Sequence, residues 1–99
     1  MTRDDVLDRL KKLEPMLRKQ GVAGLYLYGS FAKDAADETS DIDLFVDPEK
    51  PGVFGFDAFI NSYDLLKSTF PDRDLGYSTR DGLVEHYKKV IEPSALRVF

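Results

Sequence analysis

The chain has 99 residues, of which 42% are hydrophobic and 32% charged, a composition that favours one folded domain over a disordered chain. It contains no cysteine, which excludes disulfide frameworks, thiolate zinc sites and cysteine catalysis. The formal net charge of −4 argues against nucleic acid as a partner, although metal ions can bridge an acidic surface to a polyanion. No apolar run approaches the ~20 residues of a membrane helix, and no signal-peptide pattern opens the chain. We therefore expect a cytoplasmic protein.

The first predicted element is an amphipathic helix over residues 2–20. Thr2 and Asp5 have the spacing of a capping box, and Gly21 is a natural stop. Pro15 removes one backbone hydrogen bond, so we expect it to kink the helix or to split it in two. The apolar positions recur at helical spacing: Val6, Leu7, Leu10, Leu13 and Leu17.

Two buried strands are predicted next. The run over residues 22–31 is aromatic and aliphatic and ends in Gly-Ser-Phe, and residues 42–46 form a second apolar run. Residues 50–52, Lys-Pro-Gly, predict a loop. A helix over 56–70 follows, with one apolar face: Phe56, Phe59, Ile60, Tyr63, Leu66 and Phe70.

The remaining elements are a third strand over residues 73–78, a helix over 81–92 ended by Pro93, and a short strand or helical turn over 96–99. This order predicts an α/β (α+β) fold, in which helices cover a small mixed sheet of three to four strands, as a single domain over residues 1–99. The last helix has five apolar positions: Leu83, Val84, Tyr87, Val90 and Ile91.

Asp41 and Asp43 stand two positions apart at the start of the second strand, so both side chains leave the same face. At a separation of about 5 Å and an effective dielectric of 20, the two charges repel each other by roughly 3 kcal/mol. A bound cation relieves this repulsion, and carboxylates with an incoming phosphate are the usual ligands of Mg²⁺. A solvated strand start is the other explanation of the pair taken alone.

Gly29 and Ser30 lie where the first strand is expected to turn into a helix. Free backbone N–H groups at such a turn can bind phosphate, glycine lets the phosphate approach, and the Ser30 hydroxyl can donate to it. The segment is not a Walker A loop, because that motif is absent from the chain. Ser30 could also act only as a helix cap.

Gly29-Ser30, ten intervening residues and Asp41-Ile42-Asp43 resemble the signature of the nucleotidyltransferase superfamily that includes DNA polymerase beta. The shortness of the chain points to the minimal nucleotidyltransferase branch of that superfamily. The similarity extends over nearly the whole sequence, with residues 25–32 and 40–46 as its core and 79–83 and 97–99 similar to the usual ending. The resemblance implies the nucleotidyltransferase fold.

The resemblance also implies a set of roles. Ser30 would contact the triphosphate, Asp41 and Asp43 would bind Mg²⁺, and a third carboxylate on a later strand would complete the metal site. That carboxylate would also help to activate the attacking hydroxyl. By position Asp74 is the best match, with Asp72 as the fallback.

Lys33-Asp34 stands where the family often has Arg-Gly. By position Lys33 is a candidate for nucleotide binding, together with Gly29 and Ser30. Lysine lacks the bidentate fork of arginine. Asp34 adds a negative charge near the phosphate site, so this departure bears on nucleotide affinity.

The activity that the resemblance implies is transfer of AMP from ATP to a hydroxyl acceptor. Because no second domain is present to bind a small acceptor or a primer, a partner protein such as a HEPN toxin is implied. The chain would then act as its antitoxin in a hetero-oligomer. The alternative is a non-catalytic module of the same fold that neutralises its partner by contact. A stand-alone metal-binding or phosphoacceptor domain would leave Gly29 and Ser30 unexplained.

Overall fold

The computed structural model describes residues 1–50 and 52–99, and Pro51 of the predicted loop lies outside the described residues. The helices are α1 Arg3–Lys11, α2 Glu14–Lys19, α3 Gly29–Ala32, α4 Phe56–Thr69 and α5 Glu85–Ser94, with a 3₁₀ turn at Arg80–Gly82. The strands are β1 Val22–Tyr28, β2 Ile42–Pro48, β3 Leu75–Thr79 and β4 Leu96–Arg97. None of the described helices has the length and apolar character needed to cross a lipid bilayer.

The four strands form one sheet in the order β3-β2-β1-β4. β1 is antiparallel to both β2 and β4, whereas β2 and β3 are parallel. The predicted mixed sheet covered by helices is therefore confirmed, and residues 96–97 take the strand form rather than the helical turn. The register places Tyr28 opposite Asp43 on one side and Gly76 alongside Asp43 on the other.

The two faces of the sheet differ in composition. One face, with Leu25 and Leu27 of β1 and Leu44 of β2, packs under the helices as a single hydrophobic core. Because successive side chains of a strand alternate between faces, the opposite face carries Tyr26, Tyr28, Asp43, Phe45 and Asp47. We call this second surface the open face. The helices contribute Val6, Leu10, Leu17 and Leu66 to this core.

The N-terminal predictions are confirmed in detail. The helix is split: α1 ends at Lys11 and α2 begins at Glu14, with Pro15 in its first turn, where a missing N–H does no harm. The capping box is formed, since Asp5 N–H donates to Thr2 Oγ1 at 3.1 Å and Thr2 N–H donates to Asp5 Oδ2 at 2.9 Å. Gly21 ends α2 with a positive φ of 93°.

The buried face of α4 is only partly as predicted. Phe56 is 77% exposed, whereas Ser62 is completely buried. The Ser62 hydroxyl hydrogen-bonds Tyr77 Oη at 2.6 Å and donates to the Ala58 carbonyl at 2.8 Å, so its polar group is satisfied inside the core. Phe59 stacks on the Tyr77 ring at 4.8 Å. The β3 contact thus rotates the buried side of the helix away from Phe56.

The C-terminal boundaries differ from the prediction. β3 begins two residues later, at Leu75, and the helix expected from residue 81 begins at Glu85. The intervening 3₁₀ turn is held by Thr79 Oγ1, which accepts from Gly82 N–H at 3.1 Å. Pro93 lies inside the last turn of α5 instead of ending it, and the helix stops one residue later, at Ser94.

The predicted apolar face of α5 is wrong. Val84, Tyr87 and Val90 are 61%, 60% and 65% exposed. Glu92 instead turns inward, where its Oε2 lies 3.2 Å from Arg80 Nη1. The spacing of apolar residues does not reveal this ion pair.

Candidate active site

A glycine turn links β1 to the one-turn helix α3. Gly29 has a φ of +74°, in the left-handed region that side chains disfavour. A Cβ at this position would also collide with the Asp43 carboxylate. Gly29 is therefore required for two reasons, its backbone conformation and its contact with Asp43, and this contact brings together two residues that the sequence had singled out separately.

A second glycine confines the Asp43 carboxylate from the other side. Gly76 of β3 lies alongside Asp43 in the parallel register, and a Cβ built on Gly76 would stand 2.6 Å from Asp43 Oδ1. The carboxylate of the central strand thus occupies a slot between glycines of both neighbouring segments. Gly76 was not among the site residues predicted from the sequence, since a glycine in a short strand gives no signal of what lies beside it.

The charge of Asp43 is not balanced within the fold. Burial raises the pKa of the Asp43 carboxyl, and the negative charge of Asp41 raises it further. Burial also raises the pKa of the Tyr28 phenol, with a further contribution from Asp43. Each effect disfavours the charged form of its group, and a cation at this end of the open face would stabilise that form.

Ser30 and Asp41 are both exposed at this end of the sheet. Ser30 follows Gly29 in α3, and Asp41 directly precedes β2. Their predicted contacts with a triphosphate and with a metal ion remain predictions. The negative charge of Asp41 contributes to the raised pKa of the Asp43 carboxyl, which is consistent with two side chains on the same face.

Asp74 directly precedes β3 and is exposed. Its carbonyl accepts from Ile42 N–H at 3.0 Å, which brings it beside the start of β2 next to Asp41. The residue alongside Asp43 itself is Gly76, which has no carboxylate. Within residues 1–50 and 52–99, no group of three or more acidic or histidine side chains is close enough to hold one metal ion. The roles of Asp74 and of its fallback Asp72, in the preceding turn, therefore remain predictions.

Lys33 caps the C-terminal end of α3 and is exposed, and its role in nucleotide binding remains a prediction. The next residue, Asp34, has a positive φ of 57°. Aspartate tolerates this left-handed conformation better than most residues, and glycine adopts it freely. The backbone thus explains why the resembling family often has glycine here, and the chain keeps the conformation without it.

The contacts of two arginines, one at each end of β2, were not predicted from the sequence. Arg80 pairs with Asp47 through Nε–Oδ1 at 2.8 Å and Nη2–Oδ2 at 2.9 Å, and its guanidinium lies 4.8 Å from the Tyr26 ring centre. The hydrogen bonds that Arg80 donates to the Asp47 carboxylate raise the pKa of Arg80. Arg73 binds the backbone of the segment before Asp41. Neither contact leaves a local signal, because each joins residues far apart in the chain.

A mixed sheet with a glycine turn after its first strand, and an acidic pair opening the neighbouring strand, is the arrangement of a nucleotidyltransferase domain. The sequence matches the family described as Polymerase beta, Nucleotidyltransferase over residues 11–79. Since this match covers more than half of the chain, the protein belongs to that family. The identification confirms the superfamily to which the signature had pointed.

A solved structure supports the same fold. The chain superimposes on a protein from Sulfolobus solfataricus, described as a "putative nucleotidyltransferase", with a TM-score of 0.56 and 14% sequence identity. The superposition covers 96% of this chain and 80% of the other. At this identity the likeness concerns the fold alone. No significant match is found among curated protein sequences.

Proposed function

We propose that the protein is a Mg²⁺-dependent nucleotidyltransferase that transfers AMP from ATP to a hydroxyl group. The contact between Gly29 and the Asp43 carboxylate carries this proposal, because it joins the phosphate-binding turn to the acidic pair. Hard carboxylate oxygens in an uncompensated negative site are the donor set that Mg²⁺ prefers. Asp41 and Asp43 would hold the ion, which supplies neutralisation of the charge that develops on the phosphates.

Other residues of the chain bind the triphosphate and accept the proton. Ser30 and the N–H groups of the Gly29 turn bind the triphosphate, with Lys33 as a further cation near it. The acceptor oxygen forms a bond to the α-phosphorus while the bond from that phosphorus to the bridging oxygen breaks, so pyrophosphate leaves. The proton of the acceptor hydroxyl passes to a carboxylate, which we assign to Asp74 with Asp72 as the fallback.

The acceptor in this proposal is a side-chain hydroxyl of a partner protein. Ser30, Asp41 and Asp74 are exposed, so a hydroxyl on a separate molecule can approach the acidic end of the open face. The resemblance to minimal nucleotidyltransferases favours a HEPN toxin as the partner. The chain would then act as its cytoplasmic antitoxin within a hetero-oligomer.

A transfer assay tests this function. The protein, Mg²⁺ and a candidate HEPN partner are incubated with ATP labelled at the α-phosphate, and in parallel with ATP labelled at the γ-phosphate. We expect label on the partner from the α-position only, reduced by about 100-fold or more in Asp43→Asn, because the metal-binding charge is removed. Asp64→Asn, on the exposed side of α4, is the matched control and should transfer label normally. Equal transfer by both variants would refute the proposal.

One observation favours the second candidate, a non-catalytic module that neutralises its partner by contact. Gly76 offers no carboxylate beside Asp43, so the acidic pair lacks an immediate third member. This candidate requires that neutralisation of the partner survive in Asp43→Asn and that no label be transferred by the wild-type chain. The same assay therefore separates the two functions.

A further inference from the structure

The turn before Asp41 is a closed unit. Asp37 Oδ1 accepts from Thr39 N–H at 2.8 Å and from the Thr39 hydroxyl at 2.7 Å. Asp37 N–H donates to Ser40 Oγ at 2.9 Å, and Ser40 N–H donates to the Asp37 carbonyl at 3.2 Å. These bonds also lower the pKa of the Asp37 carboxyl, the Thr39 hydroxyl having the largest effect. We call residues 37–40 the Asp37 turn, and it carries Asp41 at its end.

Arg73 holds both ends of the Asp37 turn. One guanidinium nitrogen, Nη1, donates to the carbonyl of Asp37 and to the carbonyl of Ser40, each at 2.9 Å. Two carbonyls that share one donor are held at a constant separation, and bonds from a charged donor are stronger than neutral ones. Ser40 is the residue directly before Asp41, so this contact acts next to the acidic pair.

The same guanidinium also contacts the other half of the site. It lies 5.1 Å from the centre of the Phe31 ring, and Phe31 is buried directly after Ser30 in α3. The backbone of Arg73 is held in turn, because its carbonyl accepts from Lys67 Nζ of α4 and its N–H donates to the Phe70 carbonyl at 3.2 Å. A single residue thus joins three segments: its side chain contacts α3 and the Asp37 turn, and its backbone is bound to the end of α4.

We propose that Arg73 is a positioning residue of the nucleotide site, which holds α3 and the Asp37 turn together so that Ser30 and Asp41 face one ligand. The inference rests on the proposed function and deepens it. Each of the two functional side chains belongs to the residue next to a group that Arg73 contacts, Ser30 beside Phe31 and Asp41 beside Ser40. Loss of the guanidinium releases both at once, whereas the core beneath them keeps its packing.

The experiment compares Arg73→Met and Arg73→Lys with Arg18→Met. Arg18 is a matched control, because it too donates to a backbone carbonyl, that of Ala23 at 3.3 Å, and lies 5.0 Å from an aromatic ring centre, that of Phe99. Its contacts are made far from the acidic pair. The readouts are amide hydrogen exchange over residues 38–42, binding of Mn²⁺ with ATP measured by electron paramagnetic resonance, and the melting temperature.

We expect Arg73→Met to exchange faster over residues 38–42 and to bind Mn²⁺ with ATP about 10-fold more weakly, as is typical when a residue supporting metal ligands is removed. Arg73→Lys should recover part of this loss, since Nζ can donate to a carbonyl but cannot stack as a plane. Arg18→Met should match the wild-type chain in both readouts, even if its melting temperature falls equally.

Three results would overturn the inference. If the wild-type chain binds Mn²⁺ with ATP and Arg73→Met binds it equally well, the positioning role is wrong and the proposed function stands. If the wild-type chain does not bind Mn²⁺ with ATP, the proposed function fails and the positioning role fails with it. A loss of affinity that is the same in Arg18→Met would show a general effect on the fold and would also contradict the positioning role.

Discussion

Asp43 and Asp47 lie on the same strand, on the same face and four residues apart, yet their surroundings are opposite. Both are partly buried. Asp47 receives two charged hydrogen bonds from Arg80, at 2.8 and 2.9 Å. Asp43 lies between two glycines, and the charge that acts on it is the like charge of Asp41.

The difference shows that, among the described residues, β2 carries a carboxylate paired within the fold at one end and an unpaired one, available to a ligand, at the other. At the Asp47 end, Arg80 also binds Glu92 of α5, and Glu92 pairs in turn with Lys88 at 3.9 Å, so two cations balance the two carboxylates within the fold. At the Asp43 end the imbalance is kept, at a cost in stability, and a bound cation would remove it. Functional sites often retain such locally unfavourable arrangements.

The largest expected effect comes from filling the slot that holds Asp43. Gly29→Ala combines a left-handed backbone with a Cβ that collides with the carboxylate, so it should lower the free energy of unfolding by about 2–4 kcal/mol. Urea denaturation measures the change. Gly52→Ala is the control, because a Cβ there meets nothing within 4 Å. Equal losses in the two variants would mean that the slot is not closely packed.

The second prediction concerns the balanced end of the strand. Asp47→Asn weakens two charged hydrogen bonds from Arg80 and should lower the free energy of unfolding by about 2 kcal/mol. Glu14→Gln provides the comparison, since Glu14 pairs with Arg18 at 2.6 Å on an exposed helix surface and should lose only about 0.5 kcal/mol. A loss at Asp47 no larger than that at Glu14 would remove the contrast between the two ends.

The third prediction concerns Asp43, where removal of the charge should stabilise the fold instead of destabilising it. Because the pKa of Asp43 is raised in the folded state, the folded chain keeps a proton that the unfolded chain releases. Stability from this proton is present at low pH and is lost as pH rises from the ordinary carboxyl pKa of 3.8 through the raised value. Asp43→Asn should therefore raise the melting temperature at neutral pH, by less than Asp47→Asn lowers it. The difference in melting temperature between Asp43→Asn and the wild-type chain should become smaller as the pH is lowered towards 4.

The effect of divalent ions on the melting temperature provides a second test of the charge at Asp43. Mn²⁺ should raise the melting temperature of the wild-type chain and leave that of Asp43→Asn unchanged, because binding to the folded state alone stabilises it. A melting temperature of Asp43→Asn below that of the wild-type chain at neutral pH without metal would contradict the reading of Asp43 as an unbalanced charge.

The smallest expected effect is at Asp34. Asp34→Gly relieves the left-handed conformation at φ 57° and should stabilise the fold by up to about 1 kcal/mol, whereas Asp34→Asn, which tolerates that conformation, should be nearly neutral. Both variants remove a negative charge near the Gly29 turn and should strengthen binding of Mn²⁺ with ATP by about two- to threefold. Titration calorimetry checks the affinity. Unchanged affinity in both would show that Asp34 lies too far from the ligand to matter.

Local signals predicted much of the fold. The split at Pro15, the capping box of Thr2 and Asp5 and the turn at Gly29 all follow from the conformational limits of single residues or from partners three positions apart. The outward face of α5 was not predictable in the same way. In the structure Glu92 pairs with Arg80 while Val84 and Tyr87 are exposed, and apolar spacing contains no information about a contact between residues twelve positions apart.

The sequence by itself determined the order of the elements and the pair of motifs, Gly29-Ser30 and Asp41-Ile42-Asp43, because these depend on backbone conformation and on alternation along a strand. Only the tertiary structure decided that Asp43 lies between Gly29 and Gly76, and that Arg73 holds the turn before Asp41. These contacts arise from strand register and long-range packing. The residues involved come from separate segments, and no local pattern specifies which of them become neighbours.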